Sequence, residues 1–423
     1  MLIMYVKNLT VKNFKSFKEQ HIEFEPLSII VGANASGKSN TIEIFRFISN
    51  ILVHGVNDAI SLLGGLEYIV NSNVGKSKPI YIAFEAIIDE DIFLGDSDEK
   101  NTKISISRWF YEFEIKPHQR GTGFSITKDR LSVFYGVSFE EKTSQEIEIQ
   151  YIRKTTGKKL IKEITDPSLN DLPENIRDFI SAKGVVDFLN EQMPKFSDDK
   201  RLILSELRYI FLFRLNIAGF LKIFDFDSKL LKKSSEISAK SELSEDGSNL
   251  ALILQRIIRN STEKKKLLRK LSDCLPFVND ISVKANYDKS LFYSVKENYS
   301  KKIFRSNFLS DGTVNILAII IALYFQNNGE IIILEEPERN IHPKLVSKVL
   351  EMAKETSDSR QVIITTHNPE FVKYADVKSL LFVKRDESGF SKVFKPADNK
   401  KVKIFLENEI GLDELFLDDL LGD

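Results

Sequence analysis

One run of eight residues constrains this chain more than any other: Gly32-Ala33-Asn34-Ala35-Ser36-Gly37-Lys38-Ser39. It follows the apolar stretch Leu27 to Val31, which reads as a buried strand. It precedes a segment with Ile42, Phe45, Ile48 and Leu52 at helical spacing. Strand, glycine-bearing loop and helix in this order fit the G-x-x-x-x-G-K-S phosphate loop, and that context argues against a chance strand-to-helix turn. The glycines let the backbone curl until its N–H groups and the helix N-terminus face an anion. Lys38 then supplies counter-charge to phosphate oxygens, and the Ser39 hydroxyl is a ligand for Mg2+. Gly32, Asn34, Ala35, Ser36 and Gly37 are the other candidate contacts in the loop.

A phosphate loop needs an acid at a neighbouring strand end. Ile331 to Leu334 supplies four apolar residues, followed at once by Glu335 and Glu336. Glu335 is the candidate for the Mg2+ shell and Glu336 for polarising an attacking water. A third element, Leu309-Ser310-Asp311-Gly312-Thr313, opens the apolar helix Val314 to Phe325. By itself that is an ordinary helix cap, though a hydroxyl and free N–H groups at a helix start also suit an anion. A fourth is His367, just past the apolar strand Val362 to Thr365. A lone histidine there defaults to a buried, satisfied side chain.

Taken in this order, the four elements resemble the head of ABC ATPases, and within them the RecF/SMC/OLD-like group. The likeness starts at Asn13-Phe14-Lys15-Ser16-Phe17 and continues through the phosphate loop with its trailing Asn40 and the Leu309 to Thr313 signature. Glu335-Glu336-Pro337-Glu338 with Asn340-Ile341-His342-Pro343 look like Walker B and D-loop, and Thr366-His367-Asn368-Pro369 like the switch histidine. The resemblance implies an α/β P-loop NTPase head, with a mixed β-sheet lobe around the P-loop core and a mostly helical second lobe inserted. It implies Mg·ATP as cofactor and a homodimer closed on nucleotide, in which Ser310 and Gly312 touch the γ-phosphate held by the opposite subunit. His367 would join Glu336 as a catalytic residue, while Lys15, Ser16 and Asn40 would lie near the nucleotide. Three departures stand out: Glu335 replaces the aspartate of transporter heads, no glutamine occurs from 41 to 118, and Ala35 replaces a usual glycine. Asn71 and Asn73 are the candidates for the missing glutamine's place, and the change at Ala35 is minor if that residue keeps negative φ.

The chain divides on this reading into the first part of the head (1–135), a mostly helical segment (136–300) and the rest of the head (301–423). Strands are expected at Ile80 to Ile88, Ile104 to Ile115 and Phe124 to Phe134, and two helices broken near Asn260 between Asn249 and Leu275. Lys+Arg at 60 against Asp+Glu at 61 gives no global basic field, so DNA stays an open partner class rather than an implied one. A single cysteine, Cys274, and the lack of a signal-like start or a membrane-length apolar run lead us to expect a cytoplasmic protein with no membrane contact. The basic run Lys264-Lys265-Lys266 with Arg269 and Lys270 reads as a solvated face, and the acidic, apolar-interleaved tail Glu407 to Asp423 as a segment packing on its own domain.

Transporter function is disfavoured by the missing glutamine and the long insertion. An ATPase or sensor component of DNA repair or anti-phage defence is the leading expectation, and an ATP-gated scaffold for an effector protein the alternative. Because 56 residues follow His367, an effector or nuclease is expected on a separate polypeptide.

Overall fold

A computed structural model describes residues 4–90, 102–139, 142–154, 159–164, 202–203, 221–326 and 331–396. The chain forms two compact units that alternate along the sequence. The first gathers Met1–Glu25, Asn40–Phe220 and Arg385–Val393, and the second Pro26–Ser39, Leu221–Lys384 and Phe394–Asp423.

In the first unit, strands β1 (Met4–Phe14), β2 (Phe17–Glu23), β4 (Ile80–Glu90), β5 (Thr102–Pro117), β6 (Phe124–Phe139), β7 (Lys142–Lys154) and β8 (Lys159–Ile164) form one sheet. Its order is β2-β1-β4-β5-β6-β7-β8, with antiparallel neighbours throughout. Alternation along each strand selects the buried face. Leu9 pairs with Phe84, Phe84 with Tyr111 and Tyr111 with Leu131, so one row of buried side chains crosses four strands. The helix α1 (Lys38–His54) continues into this unit, where Phe45 meets Phe24 edge-on at 5.5 Å and Phe47 meets Phe14 at 5.8 Å. Two short helices follow, α2 (Val56–Leu62) and α3 (Leu66–Ile69).

The second unit is built on a sheet in which β15, β3, β14, β13 and β9 lie side by side in that order, from β3 (Leu27–Val31), β9 (Leu221–Phe224), β13 (Ile331–Glu335), β14 (Gln361–Thr366) and β15 (Leu380–Arg385). The pairs β3–β14, β14–β13, β13–β9 and β3–β15 are parallel, which explains why these strands read as unbroken apolar runs rather than alternating ones. After the short α4 (Ser228–Leu231) come α5 (Leu250–Arg259) and α6 (Ser261–Cys274), separated at Asn260, whose side chain caps the second by accepting from the Thr262 and Glu263 N–H groups. A three-stranded sheet follows: β10 (Val278–Ala285), β11 (Leu291–Glu297) and β12 (Ile303–Arg305). The helix α7 (Asp311–Tyr324) is buried from Thr313 to Leu323, and α8 (Val346–Ser357) and α9 (Pro369–Tyr374) complete the unit.

Within 136–300, expected to be mostly helical, only part of the segment is described, and that part includes strands. Its described residues hold β7, β8, β9, β10 and β11 beside three helices. Leu291, Tyr293 and Val295 are buried at alternate positions of β11, a period-two signal blurred by the apolar Phe292 between the first two and by the surrounding lysines and glutamates. The basic run is tied down within its unit rather than wholly solvated: Lys264 pairs with Asp280 at 2.7 Å and Lys270 with Glu355 at 2.6 Å. The acidic tail Glu407 to Asp423 lies outside the described residues. Among those described, no helix is long and apolar enough to cross a membrane.

Candidate functional site

Parallel pairing sets the floor of the site. Val31 stands opposite Thr366, and Thr365 opposite Glu335, so β3, β14 and β13 end side by side. The carboxyl ends of parallel strands are where such sheets receive ligands.

From the end of β3 the chain turns back at Gly32, whose N–H donates to Thr366 O at 3.3 Å. Any side chain here would collide with the carbonyl of Val383. Ala35 has φ 65°, so the condition under which its replacement of glycine would be minor is not met, and Gly37 has φ 118°. The loop therefore holds a non-glycine residue in the left-handed region, a strained placement of the kind found where backbone is shaped around a ligand. Lys38 is buried, and its ammonium donates to the carbonyls of Gly32 at 2.9 Å and Ala33 at 3.0 Å. Burial pulls its pKa down against the opposing pull of Glu336, Glu338 and Glu335. Asn34 and Ala35 are exposed while Ser36 is buried in the turn.

Ser39 Oγ donates to Glu335 Oε1 at 2.7 Å, which brings together two hard oxygen donors from α1 and β13. That donor set fits Mg2+, which takes one or two protein oxygens and completes its shell with water and phosphate. The next residue, Glu336, leaves the strand with φ 44° and hydrogen-bonds through its N–H to Thr365 O at 2.9 Å. Its carboxylate is gripped from both sides. His367 Nδ1 lies 3.1 Å from Oε1, and Arg339 Nε donates to Oε2 at 3.0 Å. Burial acts to raise the Glu336 pKa, but the bonds from Arg339 and His367 outweigh it and hold the carboxyl below its ordinary range. The Lys38 ammonium stands 4.0 Å from the same carboxylate. His367 is about half exposed, with 47% side-chain accessibility, so it is not the buried core histidine that a lone histidine would suggest.

Ser310 caps α7, its Oγ accepting from Thr313 N at 3.1 Å, and it is exposed. Gly312 sits where a Cβ would come within 2.9 Å of the carbonyl oxygen of Asn340, so the signature and the turn after Walker B touch backbone to backbone. The side chain of Asn315, one turn further on, donates to Arg339 O at 2.5 Å.

Lys15, Ser16 and Asn40 form a cluster of their own in the first unit. Asn40 Nδ2 donates to Ser16 Oγ at 2.7 Å, Ser391 Oγ reaches the same oxygen at 2.7 Å, and the Lys15 ammonium lies 3.3 Å from Glu43. Asn71 donates to Lys15 O at 2.6 Å while its Oδ1 accepts from the N–H groups of Asn73 and Val74. This asparagine is buried and organises a turn.

Across residues 27–373 of the 423, the sequence matches the family described as "AAA domain, putative AbiEii toxin, Type IV TA system". The chain belongs to this family. It is an ABC-type ATPase of the RecF/SMC/OLD group. The chromosome segregation protein sudA of Emericella nidulans is 24% identical over 220 residues, 47% of this chain and 17% of that protein. The DNA replication and repair protein RecF of Lactobacillus acidophilus is 36% identical over 62 residues, 14% of this chain and 16% of the relative. RecF of a Thermoanaerobacter species is 51% identical over 47 residues, 11% and 13% of the two chains. The chain thus spans under a fifth of the length of these curated relatives. Among solved structures, an Smc head bound to the C-winged helix domain of ScpA superposes with a TM-score of 0.49 at 16% identity, covering 92% of this chain and 97% of that one. The SMC head domain from Thermotoga maritima gives 0.41 at 15% identity, covering 92% and 98%.

In this AAA-domain protein the surroundings of the acids were not foreseen from sequence. Arg339 joins Glu336 to Asp225, to which its other nitrogen donates at 2.6 Å. Thr366 donates its hydroxyl to the buried Glu338, whose pKa burial pushes up. An arginine three residues after a catalytic-type glutamate was the available signal, since that spacing lets a turn fold it back.

Proposed function

We propose that two copies of this protein bind Mg·ATP between them and hydrolyse it, and that the cycle serves a DNA repair or anti-phage defence system as its ATPase and sensor. The observation that carries this reading is the meeting of Lys38, Ser39–Glu335 and Glu336–His367 at three adjacent strand ends. Lys38 exchanges its loop carbonyls for phosphate oxygens, and the loop N–H groups of Gly32 to Ser39 cradle the same phosphates. Ser39 and Glu335 hold Mg2+, which when bound neutralises charge developing on the β- and γ-oxygens. Glu336, kept ionised by Arg339, accepts a proton from the attacking water, and His367 positions that water and the γ-phosphate.

Ser310 and Gly312 serve the site of the other copy. Support comes from Ser310 being exposed and from Phe308, two residues earlier, leaving 73% of its surface open as an interface residue would. The relatives named for DNA repair and chromosome segregation favour a DNA-linked role.

The test is complementation between two inactive variants. Lys38→Ala spoils the loop half of a site and Ser310→Arg the signature half. Isolated mixed dimers contain one intact composite site and should regain hydrolysis. Mixed dimers as inactive as their parents would refute independent sites made in trans.

A further inference from the structure

Away from the phosphate loop, the second unit carries a cavity of about 470 Å3 walled by Lys229, Lys232, Lys233, Phe292, Arg305 and Ser306. Four basic residues line this one recess. Arg305 lies flat over Phe292, its guanidinium carbon 3.7 Å from the ring centroid, and donates to Asn286 Oδ1 at 3.0 Å, so its plane is held in place. Ser306 Oγ donates to Lys232 O at 2.7 Å and fixes the backbone of the opposite wall. The Lys232 ammonium is paired with Asp311, the residue after the cap of α7. Among the described residues, the ammonium groups of Lys229 and Lys233 are in no ion pair, and both side chains are exposed.

Like charges do not gather in a recess without cost, and a multiply charged anion is the ligand that offsets it. The volume lies in the range of sites for small molecules, and all four basic residues line that one recess. Asp311 already competes for Lys232, which penalises singly charged ions more than a ligand with several adjacent phosphates. We propose that this cavity binds a compact polyphosphate anion of nucleotide size, at a site separate from the phosphate loop.

The experiment uses the full chain carrying Lys38→Ala, so that the loop site is disabled, and titrates it calorimetrically with inorganic tripolyphosphate at low salt. Saturable binding at one site per chain is expected, weakening as salt is raised. Adding Lys229→Ala and Lys233→Ala should weaken it at least tenfold, and these exposed positions leave the fold intact by circular dichroism. No binding, or binding indifferent to those two lysines, would overturn the proposal. In a second arm, a short single-stranded oligonucleotide that bound through these lysines where tripolyphosphate did not would also overturn it, in favour of a phosphodiester ligand. ATP binding that weakens on Lys38→Ala and survives Lys229→Ala with Lys233→Ala reports on the loop, whereas tripolyphosphate binding with the opposite dependence reports on the cavity, so the two assignments fail independently.

Discussion

Glu336 and His367 face each other across the gap between β13 and β14, Nδ1 of the histidine 3.1 Å from Oε1 of the glutamate. Glu335 points its carboxylate at Ser39 instead. Two adjacent acids thus take different partners, Ser39 for one and His367 with Arg339 for the other. Replacing Glu336 by Gln keeps size and shape while deleting the base. Mg·ATP affinity should change little and turnover should fall by about 10²- to 10⁴-fold. Light scattering after size exclusion should find the variant dimeric with ATP. A variant equally monomeric with and without ATP would rule out closure on nucleotide.

Arg339→Ala tests what keeps Glu336 ionised. In the folded protein the glutamate pKa is depressed, so the arginine's contribution is present above the ordinary carboxylate range and is lost as pH falls through the depressed value. Without Arg339, burial remains and opposes the charge. The acidic limb of the pH–rate profile should therefore move to higher pH, and the stability gap between wild type and variant should shrink on acidification. An unmoved limb would mean that Arg339 serves only as a link to Asp225.

Lys38→Ala should weaken ATP binding by roughly 30- to 100-fold, the equivalent of about 2–3 kcal/mol for lost charge-assisted bonds. Its fold should persist, because the lysine's partners are the loop carbonyls of Gly32 and Ala33 rather than core groups. Isothermal titration and a melting curve on the same sample separate the two effects.

Gly312→Ala places a methyl group 2.9 Å from the Asn340 carbonyl, with backbone on both sides and little room to yield. Overpacking of that kind costs about 1–3 kcal/mol. Thermal unfolding should begin several degrees lower, and hydrolysis should drop further than stability alone explains, since the signature and the turn after Walker B are pushed apart. A melting temperature equal to wild type would show that the contact relaxes freely.

Much of the site could be read from the sequence because its parts sit at strand ends, where apolar runs stop abruptly at Gly32, Glu335 and His367. Such boundaries are local events and leave a local trace. The backbone of Ala35 was left open by the sequence, because nothing in an alanine announces a positive φ; only the surrounding loop imposes it. Asn71, considered as a nucleotide sensor, instead satisfies Lys15 O and two backbone N–H groups, a task defined by residues far apart in the chain. The strands of 136–300 were missed because both of their faces carry charge, which weakens period-two alternation as a signal.

The register of β3, β14 and β13 makes the site a ruler. Two strand spacings, roughly 10 Å, separate the end of β3, where the phosphate loop begins, from the end of β13, where the acids begin, and backbone hydrogen bonds set each division. Loops elsewhere can lengthen or shorten without altering that measure. A slip of β14 by a single residue would exchange the directions of Thr365 and Thr366 and carry His367 away from Glu336. Drift in this protein is therefore free at its edges and forbidden along one narrow band of three strands, whose spacing is a property of peptide geometry rather than of any side chain.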